Sequence, residues 1–133
     1  MIGLDTNVIV RYITQDDETQ SAQATALIEA LSTTQPGFIT LISIIELVWV
    51  LQGSYGANRN EIIAALDALL KTKEILIEQA DVVYQALRVF THSKADFADC
   101  LIERLAHSAQ CEYTVTFDKG AAKYAGMRLI NSH

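Results

Sequence analysis

Along the chain, short apolar runs alternate with longer segments in which apolar residues recur every three or four positions. Met1 to Leu4 reads as a buried strand and Asn7 to Thr14 as a short helix. Glu18 to Thr33 reads as a second helix, with Ala24, Leu27, Ile28 and Leu31 on one face. Pro36-Gly37 breaks the chain ahead of a short strand around Phe38 and Ile39. A third helix is predicted from about Ser43 to Tyr55, ended by Gly53 and Gly56, and a fourth over Asn58 to Thr72. The fourth opens on Asn58-x-x-Glu61, the spacing of a capping box, and carries a stripe of Ile62, Leu66, Leu69 and Leu70. Glu74 to Ile77 reads as a strand, Asp81 to His92 as a helix packed through Val83, Leu87 and Phe90, and Asp96 to Gln110 as another helix. Tyr113 to Phe117 is a predicted strand, Lys119 to Tyr124 a short helix and Met127 to Ile130 a last strand.

Strands that alternate with helices require crossover connections, and these give a mostly parallel sheet covered on both faces. The expected fold is a three-layer α/β/α domain with a central, mostly parallel sheet. The 133 residues, half of them apolar, fill one hydrophobic core and leave no room for a second, so residues 1–133 are expected to form one domain. The same composition excludes a disordered tail or a stapled mini-protein. Cys100 and Cys111 are too few for a disulfide framework, lack a metal-finger spacing and fit a reducing compartment. Asp5 and Arg11 interrupt the N-terminus before a signal-like apolar stretch develops. The longest apolar block, Leu41 to Leu51, contains Ser43 and Glu46 and is too short to span a bilayer. A soluble, cytoplasmic protein with no membrane partner is the expectation.

Sixteen acidic and ten basic residues give a formal charge of −6, which argues against gripping nucleic acid through the overall field. A polyanion still binds if the acidic groups gather around a divalent cation while the rim stays basic. The placement of the acids therefore matters more than their number.

Asp5 ends the run MIGL and Asp118 ends the run YTVTF, which puts both at the carboxyl edge of a parallel sheet, where ligands bind. Each also fits a turn or helix N-cap. Glu46 stands in an otherwise uncharged stretch, and Ser43-x-x-Glu46 has capping-box spacing. That box would put Glu46 in the first turn of its helix, where the macrodipole favours the ionised form. Asp96, Asp99 and Glu103 form a polar stripe opposite Phe97, Leu101 and Leu105. Asp96 is the natural N-cap. Asp99, flanked by Ala98, Cys100 and Leu101, is the hardest to place at the surface, and Glu103 faces solvent or backs the other acids. If Asp5, Glu46, Asp99 and Asp118 converge, their mutual repulsion raises pKa values, and a hard cation such as Mg²⁺ relieves it. Such a centre suits phosphoryl chemistry, and Thr6, Asn7, Ser43 and Thr116 lie beside the acids where they can orient ligands.

These residues resemble a known family. Asp5-Thr6-Asn7 after the first strand is similar to the opening motif of PIN-domain ribonucleases, and Ser43-x-x-Glu46 to their second. Asp96-Phe97-Ala98-Asp99-Cys100-Leu101-Ile102 resembles the third motif and Thr116-Phe117-Asp118 the fourth. The motifs occur in the family's order and span essentially the whole chain. A stand-alone chain of this size looks most like the VapC toxins of toxin–antitoxin pairs. The resemblance implies an endoribonuclease dependent on Mg²⁺ with Mn²⁺ as substitute, a homodimer, an RNA substrate and a VapB-type antitoxin that holds it inactive. It implies Asp5, Glu46, Asp99 and Asp118 as the catalytic quartet. Asp5, Asp99 and Asp118 are then the main metal ligands, Glu46 ligates directly or through water, and Asp96 is an additional acid that can share the role of Asp99. Cys100 stands where alanine is commoner, and both are small. The implied reaction is metal-activated hydrolysis by in-line attack of water, leaving a 5′-phosphate and a 3′-hydroxyl. It needs no histidine, and His92, His107 and His133 are scattered.

Arg11, Lys94, Lys119 and Lys123 flank the motifs and are candidate contacts to the RNA backbone, each with a solvated surface charge as the plainer reading. Trp49, three residues after Glu46, is expected to pack in the core; a base-stacking platform and an antitoxin groove are its other readings. The alternative function is a non-catalytic PIN-like module that binds RNA or protein, against which the complete quartet speaks. A receiver-like signalling domain lacks its late-strand lysine here. The six glycines form neither G-x-G-x-x-G nor a P-loop, which excludes a nucleotide-binding dehydrogenase.

Overall fold

Strand β1 (Ile2–Gly3) leads almost directly into helix α1 (Thr6–Thr14), separated from it by the buried Leu4 and by Asp5 at the N-cap. The structure, a computed structural model, describes residues 1–130, so His133 lies outside it. The chain divides into two compact units, Met1–Glu78 and Gln79–His133.

In the first unit, α1 is followed by α2 (Glu18–Glu29), β2 (Gly37–Ile39), α3 (Leu41–Ser54), α4 (Arg59–Lys71) and β3 (Ile75–Ile77). The three strands are parallel in the order β1-β2-β3, with Ile2 opposite Gly37 and Ile39 opposite Ile77. Gly37 is closely packed: a Cβ there would come within 2.8 Å of the Leu4 side chain and 2.9 Å of Leu31, so those methyls would have to shift. Helix α4 forms the capping box predicted from Asn58 and Glu61. Helix α2 stops at Glu29, short of the predicted Thr33. Beyond it the Ser32 hydroxyl accepts from the Gln35 amide at 3.0 Å, a local bond that competes with continuing the helix.

The second unit contains α5 (Ala80–Thr91), α6 (Phe97–Ser108), β4 (Val115–Thr116), α7 (Lys119–Tyr124) and β5 (Arg128–Leu129). Helices α5 and α6 pack through Val83, Leu87, Phe90, Phe97 and Leu101, and the Phe90 and Phe97 rings meet edge to face at 5.7 Å. Strands β4 and β5 pair in parallel, Val115 opposite Arg128, and each is shorter than its predicted run. Both cysteines are free, Cys100 buried and Cys111 exposed.

The described residues thus form seven helices with parallel strands, the α/β class expected of a three-layer α/β/α fold. The strand pairs fall into a three-stranded set in the first unit and a two-stranded set in the second. Among the described residues, no helix is long and apolar enough to cross a membrane.

Candidate active site

In the first unit, the carbonyl of Asp5 caps α1 by accepting from the Val8 amide at 3.1 Å, while its carboxylate makes no capping bond. This solvent-facing carboxylate is therefore not used in holding the helix. The next residue, Thr6, is buried, and its hydroxyl donates to Glu46 Oε1 at 2.6 Å. Thr6 thus orients an acid from another helix.

The expectation for Glu46 itself is corrected. Thr40, not Ser43, is the N-cap of α3, and its hydroxyl accepts from the Ser43 amide at 3.2 Å. The helix starts as soon as β2 ends, so Ser43 is buried in the first turn and no capping box joins it to Glu46. Glu46 consequently sits in the second turn, beyond the N-terminal turn where the macrodipole acts most strongly. Its carboxylate accepts from the Thr6 hydroxyl and otherwise faces solvent.

Asn7 and Arg11 line a cavity of about 280 Å³ with Gln20, Ala24 and Leu27, in the groove of α1 and α2. Gln15, left-handed at φ 54°, turns the chain so that Asp16 comes back beside Arg11. Arg11 donates to Asp16 at 3.0 Å, to Gln20 Oε1 at 2.8 Å and to the Tyr55 hydroxyl at 3.2 Å. The structure therefore places this candidate RNA contact within a local network. Sequence reasoning missed that network, because Tyr55 lies 44 residues from Arg11.

The remaining acids of the quartet region, Asp96, Asp99 and Asp118, lie in the second unit. Asp96 caps α6, with Oδ2 accepting from the Asp99 amide at 3.3 Å. Asp118 caps α7, with Oδ1 accepting from the Ala121 amide at 2.9 Å, and its own amide donates to Thr116 Oγ1 at 3.0 Å. Asp99 lies close enough to both to feel their charges. Partial burial, then Asp96, then Asp118 push its carboxyl above the ordinary value of 3.8. Glu103 is half-buried and forks onto the adjacent Arg104 at 2.6 and 3.1 Å. Lys94 and Lys119 are exposed, at the loop before α6 and the first position of α7, and Lys123 lies 5.3 Å from the Tyr124 ring.

Trp49 is the second correction. It is 60% exposed, because α3 buries Ser43, Ile44, Leu47, Val48 and Leu51, and Trp49 falls off that stripe. Being apolar almost all round, α3 gave no sequence signal of which face turns inward.

Compared with known proteins, the chain matches the PIN domain over residues 2–127. The chain belongs to the PIN domain family. It is also similar to a VapC ribonuclease of Aquifex aeolicus (strain VF5), at 22% identity over 130 residues that cover 98% of this chain and 96% of that protein. The fold class and family expected from the four motifs are borne out.

The donor chemistry of this PIN domain fits a hard divalent cation. Asp96, Asp99 and Asp118 supply only carboxylate oxygens, and such a cation would relieve the repulsion acting on Asp99. Gly120 keeps space beside one of them, since a Cβ there would lie 3.1 Å from Asp118 Oδ1. Among the described residues, no three His, Cys, Asp or Glu side chains are drawn together into a ready metal cage.

Proposed function

We propose that this PIN domain, residues 1–133, is a Mg²⁺- or Mn²⁺-dependent endoribonuclease and the toxin of a toxin–antitoxin pair. The observation that carries the reading is the match to the PIN domain over residues 2–127, and the charges of Asp96 and Asp118 acting on Asp99 support it. The similarity to a VapC ribonuclease supports the choice of RNA as substrate. A cytoplasmic homodimer restrained by a VapB-type antitoxin completes the proposal.

Asp5, Asp99 and Asp118 would hold the cation, with Glu46 ligating directly or through water and Asp96 assisting Asp99. When bound, the cation lowers the pKa of water and offsets charge that develops on the phosphate oxygens. The chain's own residues do the positioning. Thr6 fixes one oxygen of Glu46, and Thr116 fixes the backbone from which Asp118 projects. The Asp96 and Asp118 carboxylates are held at helix starts by backbone amides, which limits their rotation. Asn7 and Ser43 are assigned supporting roles beside Asp5 and Glu46. Lys94 and Lys119, with Arg11 more restricted, are assigned to the RNA backbone. The products are expected to be a 5′-phosphate and a 3′-hydroxyl.

The test compares wild type with Asp99→Asn on total RNA in Mg²⁺, Mn²⁺ or EDTA, with ends mapped by sequencing. Discrete cuts bearing 5′-phosphates that need both metal and Asp99 support the reading. Equal cleavage by the two proteins overturns the assignment of Asp99. Binding of RNA without cleavage under any of these conditions favours the non-catalytic module.

A further inference from the structure

Glu78 holds the chain on both sides of the residue that starts helix α3. Ile39 lies opposite Ile77 in the parallel register, so the next residues, Thr40 and Glu78, leave the sheet side by side. The Glu78 amide donates to the Ile39 carbonyl at 2.9 Å, and its carboxylate Oε1 accepts from the Leu41 amide, also at 2.9 Å. Thr40, between those two partners, caps the helix by accepting from the Ser43 amide at 3.2 Å. Leu41 is the first residue of α3, where a backbone amide has no partner within the helix. An acid 37 residues away supplies that partner.

The same helix carries Glu46 in its second turn, held by the buried Thr6 at 2.6 Å. Elsewhere α3 is seated by Ile44, Leu47, Val48 and Leu51. Apolar burial is non-directional, whereas a hydrogen bond to the first amide fixes where the helix begins. Only five residues, about 7.5 Å of rise, separate Leu41 from Glu46, so a shift at the start of the helix reaches the acid almost undiminished. A displacement of about 1 Å would stretch the Thr6–Glu46 bond beyond hydrogen-bond length.

We propose that Glu78 is a positioning residue for the candidate active site: by anchoring the first amide of α3, it sets where Glu46 meets Thr6. The proposal rests on the ribonuclease reading above and adds to it a residue that acts through Glu46. Glu78 lies outside the four acidic motifs. Its charge suits the N-terminal end of a helix, and the bond itself needs only an acceptor oxygen.

Three variants separate anchoring from other roles. Glu78→Ala removes the acceptor and Glu78→Gln keeps one. Leu41→Pro removes the donor at the helix position that tolerates proline best, after a Thr40 already extended at ψ 161°. Proton NMR of the metal-free protein follows the Leu41 amide and the Thr6 hydroxyl. In Glu78→Ala the amide should move upfield, and in both Glu78→Ala and Leu41→Pro the hydroxyl should exchange faster with water. Glu78→Gln should leave both near wild type. On an RNA that wild type cuts, Glu78→Ala and Leu41→Pro should each lower kcat by about 10-fold at unchanged KM, and Glu78→Gln should retain most of the rate. Thr6→Val already frees Glu46, so adding Glu78→Ala to it should cost less than about 3-fold more.

Unchanged Thr6 hydroxyl exchange in Glu78→Ala and Leu41→Pro overturns the proposal. So does a lower urea midpoint with kcat intact, which would make Glu78 a structural cap alone. Equal losses in Glu78→Gln and Glu78→Ala also overturn it, because the acceptor would then not be what matters. If wild type cleaves no RNA with either metal, the ribonuclease reading fails, and Thr6 hydroxyl exchange still decides whether Glu78 sets the place of Glu46.

Discussion

Thr6 Oγ1 donates to Glu46 Oε1 at 2.6 Å, tying the first residue of α1 to the second turn of α3 across 40 residues of sequence. The donor is buried and the acceptor exposed, so the hydroxyl steadies the carboxylate from its protein side. Thr6→Val removes the donor with little change in shape, and water can replace it at Glu46. Stability is expected to fall by about 0.5–1.5 kcal/mol in urea unfolding. Cleavage should fall further, by roughly 10- to 100-fold, as when a ligand loses its orienting partner. Thr6→Ser should recover most of the rate. Full activity in Thr6→Val would show that Glu46 needs no orientation from Thr6.

Asp99 gives the metal-free protein a pH dependence of definite sign. Its folded carboxyl titrates above the ordinary 3.8, through burial first and then through Asp96 and Asp118. The folded state therefore holds this proton more tightly than the unfolded chain does. Stability is lost as pH rises from about 3.8 through the folded pKa, and the loss persists at neutral pH. Asp99→Asn carries no charge to repel. In EDTA it should melt above wild type at neutral pH, with the gap closing in acid. Calorimetry from pH 3.5 to 7 measures this, and a lower Tm for Asp99→Asn at pH 7 would contradict it.

On the proposed function, cation binding would reverse that penalty. Mg²⁺ or Mn²⁺ should raise the Tm of wild type, because a ligand that binds only the folded state stabilises it by mass action. Asp5→Asn and Asp118→Asn should show a smaller rise. Identical melting in EDTA and in millimolar metal would count against carboxylates that share a cation.

Asp16 shifts in the opposite direction. The Tyr55 hydroxyl, then Thr14, then Arg11 hydrogen-bond to its carboxylate and lower it from 3.8 to about 2. Its contribution to stability is present above 3.8 and is lost as pH falls through about 2. Tyr55→Phe removes the largest of these influences. The Asp16 carboxyl, followed by ¹³C NMR, should then titrate closer to 3.8. An unmoved Asp16 would show that Arg11 and Thr14 suffice to hold it.

What was legible in the sequence was local. Asp5, Asp96 and Asp118 each follow a break or a strand and precede a helix, and all three occupy N-caps. Helix α7 runs over Lys119–Tyr124 as its pattern predicts, and Asn58 and Glu61 close their capping box. The errors arose where local signals compete. Thr40 and Ser43 are both able to cap α3, and the one nearest the end of β2 does so. Trp49 sits in a helix apolar on nearly every side, so periodicity alone does not say which face is buried. The Thr6–Glu46 bond and the Tyr55–Asp16 bond join residues 40 and 39 positions apart, and no local pattern encodes them.

Asp96 and Asp118 each combine a structural bond with a proposed chemical role, and substitution can separate the two. Asp118 Oδ1 accepts from the Ala121 amide at 2.9 Å, and Asp96 Oδ2 from the Asp99 amide at 3.3 Å. Asparagine caps a helix about as well as aspartate but carries no charge, whereas alanine does neither. Asp118→Asn should therefore keep near-wild-type stability while losing cleavage and metal-induced stabilisation. Asp118→Ala should lose about 0.5–2 kcal/mol in addition. The comparison matters more at Asp96, whose capping bond is longer. If Asp96→Asn cleaves at the wild-type rate while Asp96→Ala is only less stable, Asp96 acts as a cap and Asp99 carries the ligand role alone. If Asp96→Asn loses metal-induced stabilisation at unchanged metal-free Tm, both acids of α6 bind the cation.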